Sequence, residues 1–269
     1  MLKQKDIKRY FLKMGDLKMN NMQVGKMHNW LTTMEKYNKE LPFYIDNLYS
    51  DEEMKQLRNI WEQGKSLKPI LYGPNEKHDD GHNEPGSRFR PKHAVDMSRM
   101  LLEFEMPKSI EEKLDLIAKP LYQEPIALCH YNYIEYNLKY GDGNTNPLLP
   151  PHIDGDENLV TLNTNVGGNI DWDLYVDGIR YELPVGKTIV FSAVNSVHWR
   201  PKRNFKPGEY LEILSVDYCP TDSYRFLGQM NPIDAAHFPE KRKQHAIEVN
   251  SHPRSIAAWK QYNEDQPEN

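Results

Sequence analysis

Between Ile126 and Tyr218 the chain is built almost entirely of short stretches that favour extended backbone, separated by residues that turn it. "IALCHYNYIEYNLKYG" is aromatic and β-branched, and "NLVTLNTNV" alternates. "IDWDLYVDGIRYEL" reads as two strands joined at Asp177-Gly178, the strongest short hairpin signal. "KTIVFSA" follows a turn at Pro184 to Gly186, and "EYLEILSVDY" closes the series. Strands this short, at this spacing, with turn residues between them, indicate a barrel or sandwich rather than a parallel sheet.

The flanks carry a different period. In "LPFYIDNLYSDEEMKQLRNIWEQG" the stretch Phe43 to Ile45 suits a short strand, and Ser50 with Glu53 three residues later forms a capping box that opens a helix. Met54, Leu57, Ile60 and Trp61 then fall on one helical face, the stripe that packs on a sheet. A second helix is expected over roughly 108 to 119, with Ser109 as its cap and Glu112 three residues on. The expected class is therefore mainly β with flanking helices (α+β). Residues 72 to 94, rich in Gly, Pro, Asn and charge, read as a long loop of the kind that binds or closes over a ligand. Residues 1 to 38 have loosely helical apolar spacing, and the tail from 220 onward has no clear period and is expected to wrap the outside.

At 269 residues the chain reads as one domain with extensions: 1–40, a core over 41–219, and 220–269. The first forty residues hold nine Lys or Arg against four Asp or Glu, so the net charge of −5 leaves −10 on the remainder. An acidic body repels a phosphate backbone, which argues against a nucleic-acid partner outside a local patch. Neither an apolar run long enough to span a membrane nor a leader pattern is seen at the N-terminus, so a cytoplasmic location is expected, without membrane contact. Cys129 and Cys219 are too few for a disulfide framework and lack zinc spacing; the expectation is two reduced core residues on two strands. The sequence leaves the oligomeric state open.

"PPHIDGDENLV" holds the chemistry. Strand side chains repeat every two residues, so His152 and Asp154 share a face and can touch one metal ion. Two His and one carboxylate on one triangular face leave positions open for a cosubstrate and O₂, the arrangement of non-haem Fe(II) oxygenases. His198, after the next strand and turn in "VFSAVNSVHWRPK", is the candidate third ligand. Spacing alone says little: with ten His and 18 Asp, chance supplies about 0.7 His-x-Asp pairs. A rival pair exists in His78 and Asp80, with His82 two further on, but a loop does not hold ligands rigidly.

The order of the parts decides between them. From "ALCHYNYIEYN" through "PPHIDGD", "VGGNIDWDLYVDG", "LPVGKTIVFSAVNSVHWRPK" and "GEYLEILSVDY", the chain resembles the double-stranded β-helix (jelly-roll, cupin-like) core of iron- and 2-oxoglutarate-dependent dioxygenases, closest to the prolyl-hydroxylase-like branch. The "LPFYIDNLYSDEEMKQL" unit is similar to the strand and helix that precede this core. The resemblance covers roughly residues 41 to 218. It implies that His152, Asp154 and His198 ligate Fe(II), that 2-oxoglutarate and O₂ are consumed to succinate and CO₂, and that an unactivated C–H bond is hydroxylated. An amino-acid side chain, free or in a peptide, is the expected substrate, with the 72–94 loop as a lid.

One departure stands out. The family usually anchors the distal carboxylate of 2-oxoglutarate with an Arg or Lys on the strand after the distal histidine, but Glu209 to Tyr218 has neither and carries Glu209 and Glu212. Arg200 is the leading substitute, because it shares a face with His198 if that strand continues; Lys202, Arg203 and Lys206 are weaker ones. Tyr131, Tyr133 and Tyr136 are candidate hydroxyl donors, with Tyr136 preferred, and Arg88 and Arg90 border the loop as potential anion contacts. Two other readings stand beside the dioxygenase: an Fe(II) oxygenase of this fold that does not use 2-oxoglutarate in the usual way, and a barrel-shaped binding module without catalysis.

Overall fold

In the computed structural model the described residues are 41–66, 70–71, 92–96, 98–122, 125–140, 146–154, 158–221 and 252–265. The helices expected over 1–38, the His78/Asp80/His82 cluster, Arg88 and Arg90 lie outside them.

Two sheets face each other. The larger has eight strands in the order β1-β9-β6-β11-β5-β4-β3-β2, and the smaller has three, β10-β7-β8. In chain order these are β1 (Phe43–Asp46), β2 (Ile70–Leu71), β3 (Lys92–Asp96), β4 (Arg99–Glu103), β5 (Ile126–Tyr136), β6 (Val160–Gly168), β7 (Leu174–Val176), β8 (Ile179–Tyr181), β9 (Lys187–Phe191), β10 (His198–Trp199) and β11 (Leu211–Pro220). Apart from β2 on β3, every pairing is antiparallel. His152 forms an isolated antiparallel bridge with His198, adding a fourth segment beside β10. The segments β5-β11-β6-β9 opposite His152-β10-β7-β8 make a double-stranded β-helix, as the resemblance implies. The β7–β8 hairpin turns at Asp177 and Gly178, whose φ values of 49° and 85° are the two positive angles that a two-residue hairpin with this twist demands.

Two helices cover the outer face of the large sheet and a third packs on the small one. α1 (Asp51–Lys65) opens with the expected capping box: Ser50 N–H donates to Glu53 Oε2 at 2.7 Å and Glu53 N–H to Ser50 Oγ at 3.3 Å. Its stripe buries Leu57 and Trp61 completely, worth roughly 2–3 kcal/mol each, and the Trp61 ring stacks on Tyr133 of β5 at 4.8 Å. α2 (Lys108–Ala118) covers the expected range, but its cap lies two residues before the one expected. Pro107, not Ser109, is its N-cap, because the Pro107 carbonyl already accepts from the Ile110 and Glu111 amides at 2.9 and 3.0 Å. α3 (Pro253–Glu264) packs Ala258 and Tyr262 on Val197 and Trp199, with Ile153 and Tyr175 beside them. Among the described residues, no helix is long and apolar enough to cross a membrane.

The expectation of reduced cysteines is corrected. Asp217 pairs with His130 and Tyr218 with Leu128, so Cys129 is the extra residue of a bulge, while Cys219 stands opposite Ala127. The bulge brings the two Cα atoms to 5.8 Å, and a Cys129–Cys219 disulfide ties β5 to β11.

Candidate metal centre

Two segments at one mouth of the barrel supply the triad, 151–154 with His152 and Asp154 and β10 with His198. His152 and His198 are bridge partners, with His152 N–H to His198 O at 3.1 Å and the reciprocal bond at 2.9 Å. Asp154 is pinned one step on, its amide donating to Ala193 O at 3.0 Å. The Nε2 atoms of His152 and His198 lie 3.4 and 3.7 Å from the same oxygen of Asp154, Oδ1. All three ligand atoms fall within 4.8 Å of one another. Backbone hydrogen bonds on both segments hold these ligands rigidly.

Each ligand is oriented by its other polar atom. His152 Nδ1 is 2.7 Å from Pro150 O, and His198 Nδ1 is 3.1 Å from Ser196 O. A carbonyl can only accept, so both imidazoles carry their proton on Nδ1 and turn a bare Nε2 toward the metal position. Asn158 Nδ2 donates to Asp154 Oδ2 at 3.4 Å, which leaves Oδ1 for the ion. Burial would raise the Asp154 carboxyl, but the charge of His198 and the hydrogen bond and charge of His152, helped by Asn158, hold it well below the usual carboxylate range. Burial, assisted by His152 and opposed by Asp154, pushes His198 down to about 4. Both groups therefore stand in the deprotonated forms that a divalent ion needs at neutral pH. A two-nitrogen, one-oxygen donor set suits Fe(II) with open positions.

Register shows which side chains face this centre. Cross-strand partners share a face, and Arg200, 1% exposed, reaches Asn163 of β6 (Nη2 to Oδ1, 3.3 Å), so Thr161, Asn163 and Asn165 of β6 point inward. Paired with them, Ser215 and Asp217 of β11 and then His130, Asn132, Ile134 and Tyr136 of β5 also face inward. Tyr131 and Tyr133 face out: Tyr131 Oη accepts from the Met106 amide at 3.0 Å, and Tyr133 Oη donates to Glu212 Oε2 at 3.0 Å. That places Glu212 outside the barrel too, and corrects both tyrosines as candidates.

The Arg200 guanidinium donates through Nη1 to the Trp172 carbonyl and lies 5.5 Å from the Trp172 ring centroid. Its Nε is buried without a hydrogen-bond partner, and among the described residues no carboxylate lies within 4 Å of it. Burial pulls its pKa down to about 10, with Tyr136 and Asp173 acting the other way. Tyr136 itself packs edge-on against Trp172 at 5.2 Å. Of the other cations, Lys202 reaches Asn263 of α3 and Arg203 reaches Glu209 and the Asp171 carbonyl. Lys206 offers its amide to Glu209 Oε2.

Asn158, Asn163 and Asp217 were missed in the sequence. The signal was present in "TLNTN", where Thr161, Asn163 and Asn165 occupy every second place of a strand that is buried on both faces.

No family model matches the chain, and no curated protein does. Similar solved structures include SnoN, a non-heme α-ketoglutarate-dependent epimerase of nogalamycin biosynthesis, at 8% identity and TM-score 0.48 over 71% of this chain and 82% of that one. A Trichoplax adhaerens prolyl hydroxylase in complex with a hypoxia-inducible-factor peptide matches at 13% and 0.43, over 80% and 100%. A Pseudomonas putida prolyl-4-hydroxylase matches at 10% and 0.45, over 70% and 99%. At this level of likeness they carry no argument, and the class rests on the chain's own strand order and triad. Those two features are a double-stranded β-helix and, at its mouth, two histidines and one aspartate that could hold one metal ion.

Proposed function

We propose that the protein is an Fe(II)- and 2-oxoglutarate-dependent dioxygenase of the cytoplasm that hydroxylates an amino-acid side chain, free or within a peptide. The observation that carries this is the convergence of two proton-free Nε2 atoms on one Asp154 oxygen, at 3.4 and 3.7 Å, at the mouth of the barrel. Fe(II) held there would activate O₂, the oxidant, with 2-oxoglutarate supplying two of its four electrons and the substrate C–H bond the other two. His152, Asp154 and His198 would hold the ion. Arg200 holds the distal carboxylate of 2-oxoglutarate, using the unpaired Nε and the Nη2 that now rests on Asn163; a buried guanidinium without a carboxylate is a site awaiting an anion. Tyr136, on the same face, supports that end of the cosubstrate. In this reading residues 41–219 are the catalytic domain, 72–94 its lid, and 1–40 and 220–269 its extensions.

Anaerobic titration of the Fe(II)-loaded protein with 2-oxoglutarate tests it, through the weak visible charge-transfer band that a chelated keto acid gives. A band saturating near one equivalent, absent in Asp154→Ala, is the expected result. Iron bound without a band would favour a second reading, an oxygenase of this fold that does not use 2-oxoglutarate in the usual way. The inward face of β11, which carries Ser215 and Asp217 in place of a cation, is the observation behind that alternative.

A further inference from the structure

A line of contacts runs from the disulfide to the metal centre. Cys219 of β11 is fully buried, and its Sγ lies 3.6 Å from Asn158 Oδ1. Asn158 Nδ2 in turn donates to Asp154 Oδ2 at 3.4 Å. An ionised carboxylate can only accept, so the amide turns its nitrogen to Asp154 and its oxygen to Cys219. The backbone holds Asn158 between the two: its carbonyl accepts from the Val194 amide at 3.3 Å, and the amide of the next residue, Leu159, donates to Tyr218 O at 2.9 Å, one place from Cys219. Asn158 is therefore tied both to β11 and to the turn that follows β9.

What passes along this line depends on the state of the sulfur. In the Cys129–Cys219 disulfide the Cys219 Sγ has no proton, so its contact with Asn158 Oδ1 is not a hydrogen bond. As a thiol it has one to give, and S–H is a weak donor. Asn158 Oδ1 is the acceptor already in place, and Cys129 has its own in the Asp217 carbonyl, 3.3 Å from its Sγ. Opening the bond thus strands neither thiol. Access is one-sided: Cys129 is half-buried and Cys219 is not exposed, so an outside thiolate reaches the Cys129 sulfur.

We propose that the Cys129–Cys219 pair is a redox switch on the metal centre, whose reduced form holds Asn158, and through it Asp154, in the position that binds Fe(II) more tightly. The inference rests on the Fe(II)/2-oxoglutarate reading with its cytoplasmic setting, and adds regulation to that centre. Disulfides that form in a reducing compartment are usually transient, and catalytic or redox-sensing. The reductant is a dithiol. One of its thiolates attacks Cys129 Sγ; the S–S bond breaks, a mixed disulfide forms, and Cys219 leaves as a thiolate that takes up a proton. The second thiolate attacks the dithiol's own sulfur in the mixed disulfide, and Cys129 leaves and is protonated. Two electrons have then passed to the protein, and the dithiol has become a disulfide. With the Cys219 S–H on Asn158 Oδ1 the amide is fixed at both ends, which keeps Asp154 Oδ2 occupied and leaves Oδ1 for the ion. Oxidation removes that proton and frees one end of the amide.

The test reads Fe(II) affinity, not turnover, on the full chain without oxygen. The wild type is prepared oxidised, with oxidised glutathione, and reduced, with dithiothreitol that is then removed by desalting; iodoacetamide on an unfolded aliquot and intact mass confirm each state. Competition against a chromogenic chelator is expected to show the reduced form binding Fe(II) about fivefold tighter. Cys129→Ser cannot form the bond and keeps the Cys219 thiol, so it should match the reduced wild type and ignore the oxidant. Cys219→Ala, with neither bond nor donor, should ignore it at the weaker affinity, and Asn158→Ala should show no response to redox state. Equal affinity in the two states of the wild type overturns the proposal, as does a response that survives in Asn158→Ala or a pair that oxidised glutathione leaves uncrosslinked. Should a variant not fold, the wild-type comparison decides alone. Fe(II) bound equally in both states refutes this inference and leaves the dioxygenase reading standing; no Fe(II) bound in either refutes both.

Discussion

Replacing Arg200 with Met separates what this side chain does for the ligand from what it does to the fold. The guanidinium can offer a carboxylate Nε, now unpaired, and Nη2, now 3.3 Å from Asn163. Two charge-assisted hydrogen bonds of about 1.5–3 kcal/mol each, less the looser contacts they replace, come to about 3 kcal/mol, or roughly a hundredfold in Kd. The effect on the empty protein has the opposite sign. The fall of the guanidinium's pKa to about 10 on burial means that the charged form is penalised by on the order of 3 kcal/mol at neutral pH. Met fills similar space without charge; stranding the Trp172 carbonyl returns about 1 kcal/mol of that. The apo variant should therefore melt several degrees higher, at roughly 2–4 °C per kcal/mol for a domain of this size, while binding 2-oxoglutarate about a hundredfold more weakly and Fe(II) as before. Scanning calorimetry of metal-free protein and the anaerobic band titration read the two halves. A Kd within about threefold of wild type, whatever the melting temperature, would show that the anchor lies elsewhere.

Asn158→Ala frees Asp154 Oδ2 to compete for the ion, so metal affinity should fall by about 10- to 100-fold with circular dichroism unchanged; a competition titration against a chelator reads it. The metal-free protein should lose stability as pH falls from 6.5 to 4. Over that window the unfolded chain binds a proton at His198 that the folded chain, with its imidazole at about 4, does not. His198→Gln should flatten that part of the melting-temperature profile, and an unchanged slope would exclude the assignment. Finally, iodoacetamide without reductant should add nothing to the unfolded protein, and after reduction it should add two groups, at Cys129 and Cys219, by intact mass.

The architecture was legible because its cues are local. Asp177-Gly178 needs two positive φ values, and Ser50 with Glu53 closes a hydrogen-bonded box three residues long. The triad was legible only as a pattern: the two-residue period puts His152 with Asp154, but their meeting with His198 depends on a bridge between segments far apart in the chain. Register could not be read at all, and it decided the rest. A shift of one place would have put Tyr133 in the barrel and Tyr136 under α1, and the face that strands share fixes Glu212 outside and Asp217 inside. The disulfide was missed for a related reason, since a bulge is what brings Cys129 level with Cys219.

The docking of α3 has a bearing on how the centre comes into being. Ile153 sits between two ligands in sequence, and Val197 and Trp199 flank the third; these are the residues against which the helix packs. On a translating ribosome the ligand segments emerge well before α3, so for that interval the backs of the ligand strands are bare. The backbone bridge that joins the ligands is complete without the helix, so what α3 adds on its arrival is a dry backing for Ile153, Val197 and Trp199.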